Sequence, residues 1–126
     1  MLGSVMWKRL GLRFELEPPG VVASFTPGPE HEGPPGHLHG GVAATALDET
    51  MASLSWLLDR TRCVTGTLEV KYRRGVPLGE PVRIEAWRVD PARGPRAHHR
   101  VRGRIVAADG RVAVEAKALF ITVPDR

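Results

Sequence analysis

The sequence predicts an α+β domain in which a mostly antiparallel sheet wraps around one long central helix. Three observations carry this. An apolar run from Val42 to Leu58 holds neither Gly nor Pro. Four stretches after it read as strands, most of them alternating apolar with polar residues. Pro- and Gly-rich segments separate these elements from one another.

Taken in order, residues 1–17 read as a short helix or irregular arm. Leu2, Met6, Leu10 and Phe14 recur at helical spacing, with Gly3 and Gly11 interrupting them. Val21 to Thr26 is a β-rich run after Pro18-Pro19-Gly20 and reads as the first strand. Pro27 to Gly36 is Pro/Gly-rich loop. The central helix follows, over about Val42 to Asp59. Leu47, Met51, Leu54 and Leu58 form one stripe on it, and Val42, Ala46 and Trp56 cover much of the rest. A helix apolar nearly all round is a buried one. Asp59-Arg60-Thr61-Arg62 ends it.

Thr67 to Tyr72 alternates, with Leu68, Val70 and Tyr72 on one face of a half-buried strand. Arg73 to Pro81 is a connector containing Gly75, Pro77, Gly79 and Pro81. Val82 to Val89 opens with Val82, Ile84 and Ala86 opposing Arg83, Glu85 and Trp87. Asp90 to Pro95 is a loop. Ala97 to Val106 sets Val101 and Ile105 against Arg100, Arg102 and Arg104, and His98-His99 reads as surface. Asp109-Gly110 is a hairpin turn signal, and Arg111 to Val123 is the last strand, with Val112, Val114, Ala116, Ala118 and Phe120 in phase. Such a sheet leaves an edge strand open, and a symmetric dimer would cover it.

Composition sets the bounds. A chain of 126 residues, 42% hydrophobic and 25% charged, fits one domain over residues 1–126 with a real core. The lone Cys63 excludes an intrachain disulfide and agrees with a reducing, cytoplasmic setting. The start, from Met1 to Leu12, makes a poor signal peptide, and no run is long enough to span a membrane. The formal charge of +4 favours anionic partners. Strand aromatics are too few, at Tyr72, Trp87 and Phe120, for a nucleic-acid stacking platform. His31, Glu32, His37 and His39 fit no strong zinc spacing, so no metal is expected.

Chemistry concentrates where the loop enters the helix. His39-Gly40-Gly41 stands at the helix start, where unpaired N–H groups and the positive dipole end polarise a carbonyl or hold an anion. Asp48 and Glu49 lie about two turns further on, and either is a candidate base or nucleophile.

His-Gly-Gly followed by an apolar helix with Asp nine positions after the His resembles the hotdog-fold acyl-CoA thioesterases. The resemblance extends to about residue 123 and is strongest to the phenylacetate-pathway (PaaI-type) and THEM-like branch of the 4-hydroxybenzoyl-CoA thioesterase superfamily. It implies a hotdog fold and hydrolysis of an acyl-CoA to free acid and coenzyme A. It implies no cofactor besides the coenzyme carried in by the substrate. Asp48 matches the family's helix acid, acting as general base or as nucleophile, with Glu49 as the rival. Gly40 matches the glycine whose backbone N–H binds the thioester oxygen, and His39 a residue positioning that loop. Thr65, seven residues before Tyr72, matches a Ser/Thr placed near the attacking water. In the family the glycine and the acid meet across a dimer interface, which implies self-association as a dimer or a dimer of dimers. Arg73, Arg74 and Arg100 are the candidates for coenzyme A phosphates.

One departure concerns the Asn or Gln that some relatives carry before the His-Gly-Gly. Gly33, Pro34, Pro35 and Gly36 occupy that stretch here, so a polar helper from it is missing or is replaced by His31, His37 or Glu32. Two other activities fit less well. A hotdog hydroxyacyl-thioester dehydratase has a Pro-Gly entering the helix where this chain has Gly40-Gly41. A non-enzymatic basic module would use the Arg-rich faces alone.

Overall fold

In the computed structural model, which describes residues 6–89 and 98–123, the chain runs α1 (Met6–Leu10), β1 (Arg13–Glu17), β2 (Gly20–Phe25), a 3-10 turn at Pro29–His31 and α2 (Gly40–Asp59). It continues through β3 (Arg62–Tyr72), β4 (Val82–Arg88), β5 (His98–Val106) and β6 (Val112–Val123). The strands form one six-stranded sheet in the order β1-β2-β4-β5-β6-β3, antiparallel at every pairing. The expected sheet around a central helix is therefore present, and it is the hotdog fold.

Small residues seat α2 on the sheet. Ala86, Gly103 and Ala116 lie directly opposite one another on β4, β5 and β6, making a shallow trough across the sheet's inner face. A Cβ on Gly103 would stand 3.0 Å from Met51 Cγ and 3.3 Å from Leu47 Cδ2, so the helix packs against bare backbone there. Leu47, Met51 and Leu54 are fully buried against this surface, with Ile84, Val101, Ile105 and Phe120 around them. Arg60 ends the helix in the left-handed region at φ 56°, its N–H reaching the Ser55 and Trp56 carbonyls.

Four readings change. The stretch before residue 17 holds the unforeseen strand β1 besides α1, so Val21 to Thr26 corresponds to the second strand. Gly11, at φ 72°, turns the chain out of α1, and β1 is specified by its pairing with β2 (Phe14 opposite Ala23, Leu16 opposite Val21) more than by its own charged sequence. β3 begins at Arg62 instead of Thr67, because an irregularity at Gly66 shifts the register between Thr65 and Thr67 and breaks the alternation. On its inner face Leu68 and Tyr72 are exposed, although α2 reaches this strand at Cys63, Thr65 and Tyr72. His99 is buried, at 1% exposure, in phase with Val101, Gly103 and Ile105, and its Nε2 lies 3.0 Å from Ser55 Oγ. The arm residues Met1 to Val5, the loop from Asp90 to Pro95, and Ala97 lie outside the described residues.

Candidate active site

The loop before α2 is fixed by His31. This side chain is buried, packs 5.2 Å from the Phe25 ring and accepts from the Gly28 N–H at Nδ1, 3.0 Å away. Its carbonyl accepts from the His39 N–H at 2.8 Å. Glu32 accepts from the Gly36 N–H at 2.7 Å. Gly33 lies so close that a Cβ on it would be 2.7 Å from His39 Cα. His31 and Glu32 are thus spent on building the loop, whereas His37 faces the groove described below.

His39 caps the helix from an extended conformation, and its Nδ1 accepts from the Gly41 N–H at 2.9 Å. This places the ring proton on Nε2. A Cβ on Gly41 would come within 2.9 Å of the imidazole, so the cap needs glycine there. Gly40 is the first helical residue, and among the described residues no acceptor takes its N–H. That donor has the helix dipole behind it. The Gly40 carbonyl accepts from the Tyr72 hydroxyl at 2.6 Å.

A groove of about 520 Å³ opens beside Gly40, with Leu38, Ala43, Val76 and Val114 as apolar wall and His37, Arg73 and Arg74 at its rim. Arg73 is paired with Glu115 at 3.0 Å. Arg100 is not brought to this groove. It projects from the outer face of β5, on the side of the sheet away from α2.

Further along α2, Thr65 Oγ1 donates to Asp48 Oδ1 at 2.8 Å. Asp48 is half-buried, and burial raises its pKa above the ordinary carboxylate value, while the Thr65 hydrogen bond pulls it back down. Glu49 is also partly buried, about 100° round the helix from Asp48. Behind Asp48 lies a polar group that sequence reasoning missed: Cys63 contacts the Ala52 carbonyl at 3.7 Å, near the Ser55–His99 pair. Burial pushes the Cys63 thiol up, and the Asp48 charge adds to it. The alternation of β5 carried the signal for His99, whose position matches that of Val101. Among the described residues no three His, Cys, Asp or Glu side chains cluster to hold a metal ion.

The site residues fall into two groups on one helix. Gly40 and Asp48 are eight residues apart, which is about 12 Å of rise and roughly 80° of rotation. A single carbonyl, about 1.2 Å long, cannot touch both directly. On one chain the Gly40 amide and the Asp48 carboxylate therefore stand at separate places along the helix.

The family profile described as the thioesterase superfamily matches residues 35–114. The acyl-coenzyme A thioesterase THEM4 of Xenopus laevis is 37% identical over 102 residues, covering 80% of this chain and 44% of that protein. The chain spans less than half the length of the curated relatives it matches. Among solved structures, a mutant thioesterase from Pseudomonas aeruginosa superposes with a TM-score of 0.83 at 24% identity, covering 95% of this chain and 86% of its own. Another thioesterase superfamily protein gives 0.75 at 31% identity, over 86% of this chain and 55% of its own.

Proposed function

The chain belongs to the thioesterase superfamily, and from that premise we propose that it hydrolyses acyl-CoA thioesters to free acid and coenzyme A. The observation that carries the reading is that Asp48, on the helix whose first N–H, at Gly40, has no acceptor among the described residues, accepts a hydrogen bond from Thr65 on β3. The Gly40 N–H, reinforced by the helix dipole, holds the thioester oxygen as it gains negative charge. Asp48 then acts in one of two ways. As general base it takes a proton from water, the water oxygen bonds to the thioester carbon, and the C–S bond breaks to release the coenzyme A thiolate. As nucleophile it forms a mixed anhydride with loss of the thiolate, and water then cleaves the anhydride. Thr65 orients the carboxylate in both, and His39 holds the loop. No cofactor enters either route.

The spacing of His39-Gly40-Gly41 and Asp48 supports placing the chain in the PaaI-type, THEM-like branch. Arg73 and Arg74, at the rim of the groove beside Gly40, are proposed to meet the coenzyme's phosphates. Arg100 reaches a coenzyme only if another subunit's groove is brought to the outer sheet face. The separation of Gly40 from Asp48 supports a homodimer in which the amide of one chain and the acid of its partner share a centre, with a dimer of dimers as the larger assembly. Edge strand β3, with Val64, Leu68 and Tyr72 exposed, is the surface for that pairing. No helix among the described residues is long and apolar enough to cross a membrane. The single Cys63 supports a reducing compartment such as the cytoplasm.

The test is thiol release from a panel of short, long and aromatic acyl-CoAs. Turnover by the native protein and a loss of about 10²–10⁴ in Asp48→Ala are expected, the range for a positioned base. Turnover that survives Asp48→Ala but is lost in Glu49→Ala would move the base by one residue. No turnover on any acyl group would overturn the reading.

A further inference from the structure

One peptide at the start of α2 is held from both ends by side chains. The C=O of the Gly40–Gly41 peptide accepts from the Tyr72 hydroxyl at 2.6 Å, and its N–H donates to His39 Nδ1 at 2.9 Å. His39 reaches it from the adjoining residue, Tyr72 from the end of β3, 32 residues away in sequence. The Tyr72 side chain also lies close enough to Gly40 that a Cβ there would be 3.5 Å from its Cε1, Cζ and hydroxyl oxygen. Two consecutive glycines are the most conformationally free pair a helix can begin with. Only φ and ψ turn easily at each residue, so the direction of the Gly40 N–H depends on how the next peptide plane is held.

We propose that Tyr72 is a positioning residue of the hydrolytic site: its hydroxyl anchors the Gly40–Gly41 peptide to the sheet, and the anchored peptide aims the Gly40 N–H at the substrate carbonyl. This rests on the reading that Gly40 polarises a thioester. Tyr72 also lines the groove beside Gly40, and its hydroxyl is spent on the Gly40 carbonyl there. The bond also ties the helix start to the edge strand proposed for pairing, so the polarising end of one centre is registered to the surface that brings its partner's acid.

The decisive variant is Tyr72→Phe, which keeps the ring and removes the hydroxyl alone. On the best acyl-CoA, kcat is expected to fall about tenfold, which corresponds to the worth of one hydrogen bond of about 1.4 kcal/mol. KM stays within about twofold, and the loss is the same for every acyl group, as for an interaction made in the transition state. Sedimentation velocity should show the native assembly. A raised KM with kcat kept, a loss that varies with acyl length, or unchanged kinetics would each overturn the proposal.

A second arm does not depend on activity. Amide hydrogen exchange at Gly40 and Gly41, followed by ¹⁵N-resolved NMR, is expected to quicken in Tyr72→Phe, and unchanged exchange would overturn the anchor itself. If the native protein turns over no acyl-CoA, the catalytic role falls with the thioesterase reading. The exchange result then shows whether the anchor exists apart from it.

Discussion

Asp48 sits between two opposing pulls. Burial disfavours its charged form and raises its pKa, and the hydrogen bond from Thr65 favours the charged form and lowers it. Burial wins, so ionising Asp48 costs folding stability. That penalty is absent below the ordinary carboxylate value and complete once pH exceeds the folded-state value. Thr65→Val keeps the shape and removes the opposing bond. The acid limb of the kcat/KM profile should therefore move to higher pH, with stability at neutral pH falling in step. A pH–rate series on native and variant protein checks this, and coincident acid limbs would mean that the Thr65–Asp48 bond is not kept in solution. Gly40, His39 and Asp48 were legible in the sequence because they share one local segment whose spacing is fixed by the helix. Thr65 was legible only through family resemblance. Tyr72 was not legible as a partner of Gly40, because nothing local signals a contact spanning 32 residues. His99 was misread because two adjacent histidines before an arginine look like surface, whereas the pleat turns every second residue inward.

The central helix owes its depth to what the sheet lacks beneath it. Ala86, Gly103 and Ala116 form the trough, and Leu47 and Met51 fill it. Gly103→Val would drive a branched side chain into Met51 and Leu47, a case of overpacking that costs about 1–3 kcal/mol. The midpoint of urea unfolding measures it. An unchanged midpoint would show that the flexible Met51 side chain absorbs the whole insertion. Long elements were the readable ones here. The helix was placed to within two residues of its observed start, and β4, β5 and β6 to within one, because their patterns are strong and uninterrupted. β1 escaped because a short edge strand is specified by its neighbour, and the beginning of β3 escaped because Gly66 interrupts the alternation that marks a strand.

In the molecule as a whole, β1 and β3 are the two edge strands of the sheet, and no further strand pairs with either among the described residues. β3 is the longer, and it exposes Val64, Leu68 and Tyr72 where β1 exposes mostly charged residues. Leu68→Lys should leave the protomer folded and split the proposed dimer, since a lysine on an edge strand opposes pairing. Sedimentation velocity reads the split, and thiol release should fall with it if each centre draws on two chains. An intact assembly in Leu68→Lys would place the pairing surface elsewhere. The distance between Gly40 and Asp48 along one unbroken helix carries a consequence for descent. If the amide of one chain and the acid of its partner share a centre, as proposed, a chain so built is not an enzyme until it has met another, and in its ancestry association came before, or together with, chemistry. Duplication of such a gene relaxes the bond between the two roles. One copy is then free to lose its acid and the other its amide, and the pair still keeps one complete centre, with the unused half of each chain released for a different task.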